Sequence, residues 1–432
     1  MKILLINLHS SRNAGDAVLT LVTIDQLKKN FPGSQITLVM NDPSSFEGEQ
    51  PVQGSWMTFI RKKDPKGTLK WRWWVIPGLV IDVGLIIGLY RLTGWKGIRL
   101  APHRWRPLLK AYMDADLVVS SPGGFLRTSG LGLTYLMILF AMGMALLAGK
   151  PLYIFPQSIG PLERPWERRL LRWVMAKARI IMTRESISLD QLKAAGIYHP
   201  RCYALPDLAF TFAGSDPEQA LVYLKSQGID PESASSLLGI TAMNWGAQNP
   251  SFKQQSEYEA ALAGAIRHFI EAHGGRAILY PQVCGPSQIE DDRIPARRVY
   301  AALSDLGSDL VMIEEDVSPE LLKACYGFMD LFIGTRMHSN IFALTGGTPV
   351  IAIAYQFKTL GIMRDLGLER WVLDINTIDS SKLIEMLEAM LSEIDCVTEK
   401  VRAEAPKLVH AAELAGVLIA ADFQRIQKAN TV

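Results

Sequence analysis

Residues Gly334 to Gly367 read GTRMHSNIFALTGGTPVIAIAYQFKTLGIMRDLG, and this stretch decides the fold. Asp330 to Gly334 (DLFIG) is a short apolar run ending in glycine, the pattern of a buried parallel strand that delivers the next residues to its carboxyl end. His338 to Leu344 then opens a helix, Gly346-Gly347 closes it, and Pro349 to Tyr355 (PVIAIAY) reads as the next buried strand. In open α/β sheets ligands bind at the carboxyl ends of strands. Arg336 and His338 fall there, beside a helix N-terminus whose amides and dipole favour an anion, and Lys358 follows the second strand directly. Two fixed cations and one titratable imidazole suit a substrate carrying phosphate or carboxylate that gains or loses a proton near neutral pH. Singly, such a His is more often a hydrogen-bonded core residue, such an Arg a structural ion pair and such a Lys a solvated charge; their convergence makes them a candidate site.

Working outward, the same alternation recurs. Lys2–Leu8, Gln35–Met40, Asp116–Ser120, Pro151–Phe155, Arg179–Thr183 and Arg201–Leu205 read as strands, with helical segments such as Ala17–Asn30 and Glu163–Lys177 between them. A linker-like segment spans residues 214–236, and a second series follows: Leu237–Met243, Arg276–Tyr280, Asp309–Ile313, Leu331–Gly334 and Pro349–Tyr355. The reading is an α/β protein of two Rossmann-like domains facing across a cleft, a GT-B-like arrangement. Residues 1–215 form the first domain, with a basic, Trp-rich insertion at about 41–110; residues 236–395 form the second; residues 396–432 are a helix expected to cross back to the first. A chain of 432 residues exceeds the usual single-domain size and agrees with this division.

Composition excludes several classes. A hydrophobic content of 49% with 20% charge describes a well-buried globular protein, and a net charge of +2 argues against a nucleic-acid binder. Four scattered cysteines, Cys202, Cys284, Cys325 and Cys396, with no Cys-x-x-Cys and no His at metal-ligand spacing, read as thiols in a reducing compartment without a metal site. The N-terminus, MKILLINLHSS, reads as a buried strand rather than a secretory signal, so a cytoplasmic location is expected. After Leu8 the first turn carries a single glycine, Gly15, where a dinucleotide-binding turn requires three, so NAD is not expected; Asn13 to Asp16 reads as a helix cap.

Two apolar stretches approach membrane-spanning length. Leu131–Leu147 lies between two pieces of one domain and is expected to be a buried helix; Trp74–Tyr90 is interrupted by Pro77 and Asp82. Between Arg61 and Lys110 twelve Lys or Arg face two acids, Asp64 and Asp82, with Trp71, Trp73, Trp74, Trp95 and Trp105 among them. That mixture fits either a peripheral contact with anionic lipid or an ordinary helical insertion packed on its own domain.

The motifs G-T-R-M-H-S-N-I, G-G-T-P-V-I-A-I-A-Y-Q-F-K and G-I-M-R-D-L-G-L together resemble the signature of the polysaccharide pyruvyl transferase family. Asn13-Ala14-Gly15-Asp16, Ser121-Pro122-Gly123-Gly124, Pro156 to Pro161 (PQSIGP), Thr183-Arg184-Glu185-Ser186 and Asp207-Leu208-Ala209-Phe210 match further pieces in order, from Lys2 to Gly367. The resemblance is to the enzymes of colanic-acid-type exopolysaccharide clusters. It implies phosphoenolpyruvate as co-substrate, no cofactor, and a pyruvate ketal formed on two hydroxyls of a sugar in a polysaccharide or its lipid-linked precursor. It implies His338 as general acid and Arg184, Arg336, Lys358 and Ser339 as donor-binding residues, with Arg184 reaching across from the first domain. It places Asn13 and Asp16 on the acceptor side and Gln157 in the cleft. By their places in the chain, Gly123 and Gly124 fit either a close approach of backbone to ligand or a tight turn, Asn244 and Trp245 lie at a strand's carboxyl end where a sugar could stack on the indole, Gln282 fits a polar cleft contact, and Asp207 fits a residue that orients a basic neighbour or the acceptor. A lipid-linked acceptor would place the protein at the inner face of the cytoplasmic membrane, touching it through residues 61–110. The same cations would also suit a GT-B glycosyltransferase with a nucleotide sugar, to which the acidic run Glu314 to Asp316 would offer a ribose contact.

Overall fold

The computed structural model describes residues 1–63, 69–128, 132–285 and 287–431. The chain forms two compact units: Met1–Ser11, Leu19–Leu208 and Ala412–Val432 make the first, and Arg12–Val18 with Ala209–Ala411 the second. Each is built on a parallel sheet with helices between its strands.

In the first unit the strand order is Cys202–Ala204, Ile180–Thr183, Leu152–Ile159, Leu117–Ser120, Lys2–Leu8, Gln35–Met40 and Val52–Gly54. Ile3 pairs with both Ile36 and Leu117, and beyond the exposed Lys2 the central strands Lys2–Leu8 and Leu117–Ser120 are buried, as a sheet covered on both faces requires. Gly123–Leu126, read from the sequence as a loop, is a short strand beside the far end of Leu152–Ile159. Pro156 has no N–H to give a ladder, and it falls where the long strand exchanges Leu117–Ser120 for this new partner.

The second unit holds six parallel strands in the order Leu310–Met312, Arg276–Tyr280, Leu237–Thr241, Leu331–Gly334, Val350–Ala354 and Val372–Asp374. Chain order reverses between Leu237–Thr241 and Leu331–Gly334, and crevices for ligands open at such a reversal. The segment expected to be a linker contains the helix Pro217–Ser226, started by the Asp216 carboxylate, which accepts from Glu218 N–H, and by Pro217 in the first turn.

The helix Ile394–Thr431 carries Pro406 inside it, and its residues from Ala412 onward belong to the first unit. There the Asp422 carboxylate accepts from Tyr153 Oη at 2.9 Å and from Arg179 Nε and Nη2 at 3.0 Å each.

The insertion after Val52–Gly54 consists of the helix Trp56–Ile60, the strand pair Arg61–Lys63 and Leu69–Trp71, and the helices Ile76–Thr93 and Arg106–Asp114. Part of it is core. Trp56 stacks on Tyr112 at 6.0 Å between ring centroids, and Trp105, Leu108, Leu109 and Met113 are buried with the helix Leu133–Leu147. Asp64 and Lys66 of the basic run, and Leu131 of the second apolar stretch, lie outside the described residues.

Candidate active site

In the second unit, the end of the strand Leu331–Gly334 is locked by close packing. A Cβ on Gly334 would stand 1.7 Å from Asn340 Oδ1, so only glycine lets the helix Met337–Thr345 fold back so tightly onto the strand. Hydroxyls brace the neighbouring strand ends. Thr241 Oγ1 accepts from Thr335 N–H at 3.2 Å and meets Ser339 Oγ at 3.0 Å, and Tyr258 Oη meets Thr335 Oγ1 at 2.7 Å. Ser339 is fully buried, and its hydroxyl donates to the Arg336 carbonyl at 2.7 Å, fixing the turn from which Arg336 and His338 project.

Arg336 is buried and gripped by Asp292: Nε lies 3.1 and 3.2 Å from its carboxylate oxygens and Nη2 2.6 Å from one of them. Asp292 also accepts from Val283 N–H at 3.0 Å. Burial pushes its carboxyl up to about 6, against the opposing pull of the Arg336 guanidinium. The spacing of the motifs gave no sign of this pair. Asp292 lies forty-four positions upstream, outside every motif that the sequence offers.

Val283 also joins this pair to the N-terminal turn, which belongs to the second unit. Asn13 forms an antiparallel bridge with Val283, and its Oδ1 accepts from Gly15 N–H at 3.0 Å and Asp16 N–H at 3.4 Å, capping the helix Ala14–Asn30. Gly15 is the seat of the imidazole. A Cβ there would stand 1.9 Å from His338 Nδ1, so the half-buried ring lies directly on the glycine backbone. The sequence put both residues in motifs but gave no hint that they touch.

Lys358 is half-buried in the first turn of the helix Phe357–Asp365, its Nζ 5.6 Å from the centre of the Tyr355 ring. Tyr355 packs at 4.7 Å and a 56° tilt against Trp245, which follows the half-buried Asn244 at the end of the strand Leu237–Thr241. Gln282, at the end of the next strand, is buried; its Oε1 accepts from Tyr326 Oη at 2.9 Å, while its Nε2 has no hydrogen-bond partner among the described residues. Arg336, His338, Lys358, Asn13, Asp16, Asn244 and Gln282 thus all sit at carboxyl ends of this sheet or on the turn docked there. A polar groove of about 640 Å³ opens at the opposite edge, among Asp330, Thr348 and Arg402, and includes none of them.

The first unit gathers Gly123, Gly124, Gln157 and Arg184 at the carboxyl ends of its own strands. Arg184 is buried: Nη1 lies 2.9 Å from Asp207, Nε 3.5 Å from Glu185, and Nε donates to Ser158 Oγ at 2.9 Å. Its Nη2 has no hydrogen-bond partner among the described residues and lies 3.3 Å from where a Cβ on Gly124 would stand. Gly123 has φ 153°, and a Cβ there would meet the Phe125 ring at 2.2 Å, so this edge also demands glycine. Gln157 donates to the Ser121 carbonyl. Phe125 in turn packs at 3.9 Å against His9, whose imidazole is lowered to about 4 by burial and by the nearby Arg61 guanidinium.

Among the described residues, one group has metal-ligand geometry: His268, His273 and Glu388, with ligand atoms within 4.8 Å of one another. Both imidazole Nε2 atoms lie 2.6 Å from Glu388 Oε1, where the helix Gln255–His273 ends against the helix Ser380–Ser392. Glu314, expected to be a solvated loop residue or a ribose contact, is exposed and pairs with Arg297 at 3.0 Å.

Known proteins agree with this architecture. The chain matches the family model for polysaccharide pyruvyl transferase over residues 13–356. It is 26% identical over 412 residues to the amylovoran biosynthesis protein AmsJ of Erwinia amylovora, covering 93% of this chain and 94% of that one. Similar solved structures include a putative UDP-N-acetylglucosamine 2-epimerase from Listeria monocytogenes (TM-score 0.60, 13% identity, covering 99% of this chain and 97% of that one). Another is Anabaena Alr3699/HepE in complex with UDP-glucose (TM-score 0.56, 15% identity, 99% and 100%). At these identities the likeness concerns the fold, which is that of the two-domain GT-B-like proteins. The ordered motifs, the two parallel sheets and the family match over most of the length lead to one conclusion: the chain belongs to the polysaccharide pyruvyl transferase family and is an enzyme of that family.

Proposed function

We propose that this enzyme transfers the enolpyruvyl group of phosphoenolpyruvate to two hydroxyls of one sugar, in a polysaccharide or its lipid-linked precursor, forming a pyruvate ketal. The observation that carries this reading is the imidazole of His338, held on the Gly15 backbone at a helix N-terminus with Arg336 and Lys358 on either side in sequence. The donor carries a carboxylate and a phosphate, and its methylene carbon must be protonated before the adjacent carbon accepts an oxygen. His338 gives that proton. The oxocarbenium centre takes the first hydroxyl, phosphate departs with its bonding pair, and the second hydroxyl closes the ring; of the two hydroxyl protons released, one restores His338 and one leaves with phosphate.

Lys358 and the helix N-terminus at Met337–Thr345 stabilise the donor's negative charge, while Asp292 holds Arg336 rigid with its remaining N–H groups available to an anion. Ser339 acts from beneath, by fixing the Arg336 turn. We assign Arg184 Nη2, beside Gly123 and Gly124, to an anionic group of the substrates, and Asn13, Asp16, Gln157, Asn244 and Gln282 to hydroxyls of the acceptor. The reading requires no metal or organic cofactor. It places the enzyme in the cytoplasm, where phosphoenolpyruvate is made.

The test is incubation with phosphoenolpyruvate and the unpyruvylated glycan isolated from cells lacking the protein. Inorganic phosphate should appear, and the glycan should gain the mass of pyruvate less one water. Release of a nucleotide from a nucleotide sugar, with phosphoenolpyruvate untouched, would overturn the proposal.

A further inference from the structure

The helix Ile76–Thr93 has the opposite polarity to an ordinary surface helix. It has eighteen residues and a mean hydropathy of 1.6, yet only 28% of it is buried. One side, Ile76, Leu79, Val83, Ile86 and Ile87, packs into the core of the first unit. The other presents Ile81, Leu85 and Leu92, at i, i+4 and i+11 along one stripe, 59%, 68% and 86% exposed, with Gly88 between. Trp74 before the helix and Trp95 after it are also exposed. The stripe adjoins an apolar groove of about 190 Å³ lined by Val80, Leu136, Phe140, Leu147, Leu170 and Trp173. Five core-facing residues rule out a simple transmembrane span, because crossing a bilayer would strip them from the unit they complete.

The surrounding charge selects the occupant. Arg72, Arg91, Arg99 and Arg104 flank this segment, with Arg72 Cζ 5.9 Å from the Trp74 ring. From Arg72 to Arg104 the single acid is Asp82, which lies about 100° around the helix from Ile81, on the flank of the stripe. An apolar stripe with Trp at both ends and a cationic border is complementary to a lipid surface: acyl chains for Leu and Ile, the interfacial layer for Trp, anionic headgroups for Arg. A protein partner of this polarity would need an acidic border around an apolar centre; an anionic bilayer supplies both.

We infer that the helix Ile76–Thr93 lies in the plane of an anionic membrane as a monotopic anchor, with its Ile81–Leu85–Leu92 stripe among the acyl chains and part of one chain in the adjoining groove. Of the five tryptophans in the basic run, Trp74 and Trp95 take part, whereas Trp105 belongs to the core. The inference rests on this surface alone and is independent of the reaction catalysed.

The test is flotation of the full-length protein with vesicles of phosphatidylcholine alone or mixed with phosphatidylglycerol, compared with the triple variant Ile81→Gln, Leu85→Gln, Leu92→Gln. The wild type should float with the mixed vesicles at least about tenfold more than with the neutral ones, and added salt should weaken this without abolishing it. The variant should lose at least about tenfold in binding while keeping its thermal midpoint and its turnover of a soluble acceptor. Quenching of Trp74 and Trp95 fluorescence by brominated lipid should occur in the wild type. The inference is overturned if the wild type remains with the unbound protein in both mixtures, or if the variant floats as well as the wild type. It is equally overturned if light scattering shows a dimer that the triple substitution dissociates without any vesicle binding, in which case the stripe serves a second copy of the chain.

Discussion

The carboxyl edges of the two sheets share one strand order and differ in how they treat charge. In the first unit Arg184 faces two carboxylates, Glu185 and Asp207, inside the protein, and His9 is packed on Phe125 and held neutral. In the second unit Arg336 faces one carboxylate, Asp292, while His338 and Lys358 stand half-buried at the first turns of two helices. The same residue types therefore do different work. Where two carboxylates grip the guanidinium, Arg184 is held rigid with Nη2 left over beside Gly124; where fixed cations outnumber the one carboxylate beside a half-buried imidazole, the edge has the charge that the proposed anionic donor requires.

This contrast can be broken at several points. The largest effect is expected from Asp207→Ala, which removes the carboxylate nearest the buried Arg184 guanidinium, leaving Glu185 at 3.5 Å, and should lower the unfolding free energy by about 3–5 kcal/mol in a denaturant titration. A loss below about 1 kcal/mol, the range of an exposed pair, would mean that the first edge is not sealed. Next, Gly15→Ala pushes a methyl group into the space of the His338 ring and should reduce kcat by about a hundredfold while leaving the denaturation midpoint close to the wild type. An unchanged kcat would separate the imidazole's position from catalysis.

The pH response of the first edge is smaller. His9 is lowered from its ordinary value to about 4, so between pH 6.5 and 4 the unfolded chain takes a proton that the native chain refuses. Stability present above pH 6.5 should therefore be lost by about 1–3 kcal/mol as the pH falls through this window, and His9→Phe should flatten the curve. Identical curves for both proteins would refute the lowering of the His9 imidazole. Smallest is Lys358→Met, expected to raise the KM for phosphoenolpyruvate about tenfold with little change in kcat, the pattern of a lost binding charge; an unaltered KM would remove Lys358 from the donor site.

Most of the fold could be read from the chain because parallel strands buried on both faces leave apolar runs such as Ile3 to Leu8 and Val350 to Ala354. Two three-residue edge strands escaped because polar residues or glycine cut their runs, Val52–Gly54 at Gln53 and Gly54 and Val372–Asp374 at Asp374; Cys202–Ala204 and Leu310–Met312, equally short, were legible because Leu205 and Ile313 extend them. Two helices show where periodicity stops being informative. Leu133–Leu147 and Ile76–Thr93 are both apolar around most of their circumference, yet the first is largely buried and the second largely exposed, a distinction set by what packs against them. In the site, cations and imidazole were visible because motifs place them at strand ends. Asp292 and the contact of Gly15 with His338 were not, because each joins residues distant in sequence through tertiary packing.

The central claim is that the second edge protonates the donor through one imidazole. Its most direct test is turnover of His338→Gln with saturating phosphoenolpyruvate and unpyruvylated glycan, together with calorimetric binding of phosphoenolpyruvate to the same variant. The account predicts that phosphate release falls by about 10²–10⁴-fold while donor affinity stays within about threefold of the wild type. Turnover within about tenfold of the wild type would contradict it.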